Sequence, residues 1–136
     1  MEGRRARKRL TLLIADDDPV ARAVLGRSLS FAFEIVGEAE DADQAIALAE
    51  QLRPDAALVD VNMPEGGARR AVPGIVEVAP ATAIVVLSAD EADAMVRQLL
   101  IAGAVAYIRK GTDPRELAES LRRAVAARAG ERSQRG

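Results

Sequence analysis

The sequence predicts an α/β protein: a doubly wound parallel sheet of five strands with five helices on its two faces. Three observations carry this. Short apolar runs recur five times along the 136 residues. Between them lie segments whose apolar residues repeat with helical spacing. Most of the runs are continuous rather than alternating, as suits strands covered on both faces.

The elements follow in order. "LTLLIA" (10–15) is the first strand. Asp18 then caps a helix that has Pro19 at its first position, and Ala21, Val24, Leu25 and Leu29 form the apolar stripe. "EIVGE" (34–38) is shorter and more polar, and reads as an edge strand. The second helix opens with Asp41 and carries Gln44 three residues on, a variant of the capping box. Its stripe is Ala42, Ala45, Ile46 and Ala49, and Pro54 lies beyond its end. "AALVD" (56–60) is the third strand. A third helix over about 68 to 79 contains Pro73-Gly74, which is expected to kink or split it. "TAIVVLS" (82–88) is the fourth strand. The fourth helix starts at Asp90, buries Ala92, Val96, Leu99 and Leu100, and stops at Gly103. "AVAYI" (104–108) is the fifth strand. Asp113 and Pro114 open the last helix, with Leu117, Leu121, Ala124 and Val125 inward. The expected divisions are a basic, disordered tail at 1–9, one folded domain at 10–128 and a polar, loose tail at 129–136.

Composition narrows the chemistry. The chain has no cysteine and no histidine, which removes disulfides, thiolate nucleophiles, imidazole bases and the usual zinc ligands. A divalent metal would need oxygen ligands, which points to Mg²⁺, Ca²⁺ or Mn²⁺. No apolar run approaches the roughly 20 residues that span a bilayer, and no signal peptide is evident, so no membrane partner and a cytoplasmic location are expected. Net charge is −2. The basic segment "RRARKR" (4–9) has no aromatic partners for stacking on bases, and reads as a solvated tail rather than a nucleic-acid contact.

The strand ends carry the chemistry. "LLIADDDPV" runs straight from apolar residues into Asp16, Asp17 and Asp18. The third strand ends on Asp60, the fourth on Ser88, and the fifth leads through Tyr107 to Lys110. Ligands of doubly wound sheets bind at the carboxyl ends of the strands. If strands one, three, four and five are neighbours, these ends form one pocket of carboxylates, a hydroxyl and an ammonium. Clustered carboxylates repel one another, and a hard divalent cation relieves that. Metal, ammonium and hydroxyl are also what stabilise a transferring phosphoryl group. Of the 19 basic residues only Lys8 and Lys110 are lysines, so a compact point charge stands where arginine is the habit of the chain. Asp18, Asp90 and Asp113 read first as helix caps.

"IADDDP", "LVDVNMP", "VVLSA" and "YIRKGTDPREL" resemble the motifs of the receiver domain of two-component response regulators. The resemblance covers about residues 10 to 128, in the style of receivers that precede helix-turn-helix output domains. It implies a flavodoxin-like sheet of order 2-1-3-4-5, an order that comes with the resemblance and not from periodicity. It further implies that Asp60 is the phospho-acceptor. Asp17, Asp60 and the backbone carbonyl of Asn62 would hold Mg²⁺, with Asp16 acting mostly through water. Ser88 would bond a phosphoryl oxygen, Lys110 would pair with Asp60 or its phosphate, and Tyr107 would reorient with the Ser88 loop. The implied function is a phosphorylation-dependent signalling switch that remodels the face made by the fourth helix, fifth strand and fifth helix. Such a chain is no enzyme beyond its own phosphoryl transfer and dephosphorylation. Its implied partners are a histidine kinase or phosphotransfer protein, with a homodimer allowed and direct nucleic-acid binding not expected.

Three features depart from the commonest receiver pattern: Gly111 in place of proline after the lysine, Ser in place of Thr at 88, and "EGGARRAVPG" after Met63-Pro64. Two other classes stay open on the residues. One is a Mg²⁺-dependent phosphatase with an Asp nucleophile, against which stands the missing Asp-x-Asp pair. The other is a module that binds partners without phosphorylation. The cognate kinase, the output and the dimer face are not encoded in any motif.

Overall fold

Successive residues of a strand point to opposite faces, so a run that is apolar throughout needs cover on both sides. The computed structural model describes residues 9–90 and 94–135. Strands β1 (Leu10–Ala15), β2 (Phe33–Ala39), β3 (Ala56–Asp60), β4 (Ala83–Ser88) and β5 (Ala106–Arg109) alternate with helices α1 (Pro19–Leu29), α2 (Ala42–Leu52), α3 (Gly67–Val78), α4 (Ala94–Ala102) and α5 (Pro114–Arg135). The pairings are all parallel and the sheet order is β2-β1-β3-β4-β5, so the flavodoxin-like expectation holds and β2 is an edge strand.

The core divides as the alternation demands. Leu12, Ile14, Leu58, Val85 and Leu87 pack with Leu29 of α1 and Leu117 and Leu121 of α5. Leu13, Val59, Ile84 and Val86 pack with Ala45 of α2, Ile75 of α3 and Leu99 of α4. Small residues let the second layer close up: a Cβ on Gly74 would lie 2.4 Å from Ile46 Cδ1, so alanine there would force the Ile46 side chain to shift. Full burial of each large aliphatic side chain contributes about 1.5–3 kcal/mol.

The helix starts agree with the capping residues in the sequence. Asp18 accepts the Val20 N–H at 2.9 Å, with Pro19 beginning α1. Asp41 accepts the Gln44 N–H at 2.8 Å, and the Gln44 side chain accepts the Glu40 N–H at 2.9 Å. Asp113 accepts the Arg115 N–H at 3.0 Å.

Several expectations are corrected. Helix α3 is continuous through Pro73 rather than split. Pro73 and Arg69 are exposed, so water can take the carbonyl that proline leaves without a donor, while Ala68, Ala71, Val72 and Ile75 hold the opposite face in the core. Val24 is 57% exposed and Leu100 39% exposed, although helical spacing puts both on buried stripes. The last helix runs past 128 to Arg135, so the expected loose tail is helical that far. Nothing in "ARAGERSQR" forbids helix, and Arg128 anchors this region by donating to the Gly103 carbonyl at 3.1 Å. Arg9, expected in the tail, is docked: its guanidinium donates to the carbonyls of Ser30 and Phe33. The rest of the basic tail, and the Ala92 contact of the fourth helix, lie outside the described residues. The path after Pro64 is a tight turn in which Glu65 and Gly66 both take left-handed backbone, with φ of 59° and 66°.

Candidate functional site

Strand ends converge because neighbouring parallel strands finish at one level of the sheet. Asp60 is the last residue of β3 and Asp16 follows the last residue of β1. Carboxylate oxygens of Asp16, Asp17 and Asp60 lie within 4.8 Å of one another. Asp16 and Asp60 are buried, and Asp17 is exposed. On the other side, Lys110 Nζ stands 3.0 Å from Asp60 Oδ1. The Lys110 N–H donates to the Ser88 carbonyl at 2.9 Å, which extends the β4–β5 ladder and brings the ammonium to the pocket.

Asp60 Oδ1 also accepts the Asn62 N–H at 3.0 Å. Both partners therefore fall on one oxygen, and no described residue donates to Oδ2. The Asn62 side chain is exposed, and its N–H contact folds the chain after β3 back toward the acids.

Burial raises the Asp16 carboxyl above the usual aspartate range. The Asp18 N–H and the Lys110 ammonium pull it down, while Asp60 and Asp17 push it further up. A cluster of three acids that offers oxygen donors, with the Asp16 carboxylate penalised by its burial, suits a small, hard divalent cation. Asp16, Asp17 and Asp60 fit Mg²⁺ on that ground.

Ser88 is buried at the end of β4, but its hydroxyl is not turned onto the acids. It donates to the Asp90 carbonyl at 2.9 Å and accepts the Asp90 N–H at 3.2 Å. Tyr107 is half-buried on β5, in register with Val86, two residues short of the Arg109 that pairs with Ser88. Its side chain packs against the core layer that holds Val86, Val96 and Leu99, on the α4 side of the sheet. Asp18 is a cap, as expected.

Gly111 takes φ of +87°, a left-handed backbone that proline cannot adopt, so the turn after Lys110 is built differently from one with proline there. Beside this turn a cavity of about 290 Å³ opens between α1 and β5, walled by Val24, Leu25, Leu87 and Leu117 and edged by Asp16 and Lys110. It accounts for the exposed Val24.

Two further residues, Arg22 and Glu38, carry no signal in the sequence. Arg22 donates to the Asp16 backbone carbonyl at 2.7 Å and lies 3.4 Å from Glu38 of β2. Periodicity marks Arg22 only as a polar helix position.

Comparison with known proteins gives the family and the fold. The family described as the response regulator receiver domain matches residues 12–122. The nitrate/nitrite response regulator NarL of Escherichia coli is 36% identical over 118 residues, 85% of this chain and 55% of that protein. The transcriptional regulatory protein YxjL of Bacillus subtilis is 34% identical over 119 residues, 86% of this chain and 55% of that protein. The chain thus spans about half the length of the curated relatives it matches. Among solved structures, the response regulator domain of Thermotoga maritima CheB superposes with a TM-score of 0.79 at 28% identity, over 88% of this chain and 98% of that one. The receiver domain of NarL from Mycobacterium tuberculosis gives 0.79 at 27%, with the same coverage.

Proposed function

The chain belongs to the response regulator receiver domain family, and we propose that it is a phosphorylation-dependent signalling switch with Asp60 as its phosphoryl acceptor. The observation that carries the reading is Asp60 itself: a buried carboxylate with Lys110 on Oδ1 and two further acids beside it. In the proposed step a carboxylate oxygen of Asp60 attacks phosphorus. A P–O bond forms, and the bond from phosphorus to the donor nitrogen, or to the donor oxygen of a small acyl phosphate, breaks. The leaving group departs with the bonding electron pair: a donor nitrogen takes a proton from solvent, whereas the carboxylate of an acyl phosphate leaves as the anion. Asp16, Asp17, Asp60 and the Asn62 carbonyl would hold Mg²⁺, which when bound offsets the negative charge that the phosphoryl oxygens bring. Lys110 gives the product a cation within reach, and the Asn62 N–H holds the carboxylate plane in place.

The switch follows from what the new phosphate lacks. Ser88 is the nearby hydroxyl at the end of the adjacent strand, and at rest its proton is held by Asp90. Turning it to the phosphate breaks that bond and frees the segment after β4, which lets Tyr107 move and changes the α4–β5–α5 surface. Phosphorylation shifts this equilibrium only by its different contacts in the two states. A histidine kinase or phosphotransfer protein is the proposed donor, and a homodimer or an output partner the proposed reader of the changed surface.

The test is incubation with Mg²⁺ and a small phosphodonor, with intact mass read before and after and the site mapped by peptide. One added phosphoryl group on Asp60 is expected. No addition under any donor would leave the chain a binding module that acts without phosphorylation.

A further inference from the structure

An acid pair binds metal well only if its backbone is held still. Asp16 has four polar groups, and three are already committed. Its N–H donates to the Ala39 carbonyl at 3.0 Å, its Oδ1 accepts the Asp18 N–H at 2.9 Å, and its carbonyl accepts from Arg22 Nη1 at 2.7 Å. Only Oδ2 remains for the pocket. The first two bonds come from neighbouring backbone. The third comes from a long side chain one turn inside α1, which has no need to lie there unless something holds it.

Glu38 holds it. Arg22 Nε lies 3.4 Å from Glu38 Oε1 on the edge strand. The Arg22 side chain is only 17% exposed, whereas that of Glu38 is 45% exposed, so the guanidinium is tucked under the acid loop and the carboxylate closes it from outside. One turn on, Gly26 borders the same carboxylate: a Cβ there would lie 3.4 Å from Glu38 Oε2, an ordinary contact. The arrangement joins α1, the end of β1 and the edge strand β2 at the base of the acid loop.

We infer that Arg22, oriented by Glu38, is a positioning residue for the metal-binding acids: it fixes the backbone between Asp16 and Asp17 so that their carboxylates converge with Asp60. This rests on the Mg²⁺ reading above. Charge alone does not account for it, since the cation is shared between a carbonyl and Glu38, and the groups that shift the Asp16 carboxyl are its burial, Asp18, Asp60, Lys110 and Asp17. Hydrogen-bond partners one step behind metal ligands commonly set affinity by about tenfold to a hundredfold.

The experiment compares wild type, Arg22→Met, Arg22→Lys and Glu38→Gln. Mg²⁺ affinity is measured by calorimetry, thermal unfolding is followed with and without Mg²⁺, and the Asp60 phosphorylation rate is titrated against Mg²⁺. Arg22→Met keeps the apolar stem and loses every donor. Its Mg²⁺ Kd is expected to rise about tenfold or more, with the phosphorylation rate recovering at saturating Mg²⁺. Arg22→Lys, with one donor for the carbonyl, should recover part of the affinity, and Glu38→Gln should weaken binding less than Arg22→Met. A purely structural role would lower the melting temperature by the same amount with and without Mg²⁺ and leave Kd unchanged; that result overturns the inference. If Arg22→Met does not fold, wild-type Kd values in both Arg22→Lys and Glu38→Gln overturn it equally. Failure of the wild type to bind Mg²⁺ would instead remove the metal reading itself, and this inference with it.

Discussion

Lys110 Nζ and the Asn62 N–H meet the same oxygen of Asp60, Oδ1, each at 3.0 Å. The carboxylate is therefore held through one oxygen, while no described residue donates to the other. A group held this way keeps its orientation and still presents a lone pair toward Asp16, Asp17 and whatever enters the pocket.

Asp60→Asn keeps the shape and removes the nucleophilic charge. Phosphoryl labelling by a small donor is expected to disappear, while the circular dichroism spectrum stays that of the wild type. Labelling that persists on any other residue at the wild-type rate would reject Asp60 as the acceptor.

Mg²⁺ should raise the melting temperature by linkage, by an amount equivalent to about 2.7 kcal/mol when its concentration is 100 times Kd. Asp17→Asn is expected to weaken binding more than Asp16→Asn, because Asp17 is the proposed direct ligand and Asp16 acts through water. Calorimetry that finds the reverse order would exchange the two roles.

The Asp16 carboxyl, raised chiefly by burial, fixes the sign of a pH effect. Its folded value lies above its unfolded one, so in the window between them the native state binds more protons. Stability of the metal-free protein therefore falls as pH rises from the ordinary aspartate range through the raised value, and the penalty remains at higher pH. Asp16→Asn should flatten that segment and make the metal-free protein more stable at neutral pH. Urea unfolding in a chelator, at a series of pH values, reads this directly; equal stabilities of the two proteins at neutral pH would contradict it.

Lys110→Met leaves Asp60 beside two acids without its cation. Breaking a fully buried ion pair typically costs about 3–5 kcal/mol. Since the Lys110 side chain is 36% exposed, a smaller loss of about 1–2 kcal/mol is expected. Part of it should return with Mg²⁺, which replaces the missing charge, and denaturant midpoints with and without the metal measure that return.

Ser88→Ala removes the two-way bond with the Asp90 backbone, at a cost of about 1 kcal/mol. With a beryllium fluoride adduct on Asp60, the wild-type Tyr107 ring signals are expected to shift by NMR and those of Ser88→Ala to stay. If the wild-type signals also stay while the adduct is formed, signalling does not run through Tyr107.

Much of this molecule is legible in its sequence. Local rules reach the caps at Asp18, Asp41 and Asp113, because a side chain bonding two or three residues ahead needs nothing beyond its own segment. The continuous apolar runs of β3 and β4 announce a sheet covered on both faces. The acids, Ser88 and Lys110 stand out because each ends or follows a strand, and the receiver resemblance supplies the strand order that makes those ends neighbours.

The rest depends on distances between elements. Periodicity counts a residue as inward whether or not a neighbour reaches it, so it buries Val24, which borders an open cavity, and Leu100, which is partly exposed. It breaks α3 at Pro73, because propensity does not know that the freed carbonyl faces water while Ala71, Val72 and Ile75 are held in the core. It has no means of finding Arg22 and Glu38, which are distant in sequence and meet only because β2 pairs with β1 beside α1. It also groups Ser88 with the acids but cannot say that its hydroxyl is bonded to Asp90, since that depends on how the chain turns after β4. Local sequence sets which residues end each strand; only the packed sheet and helices determine which of those ends touch.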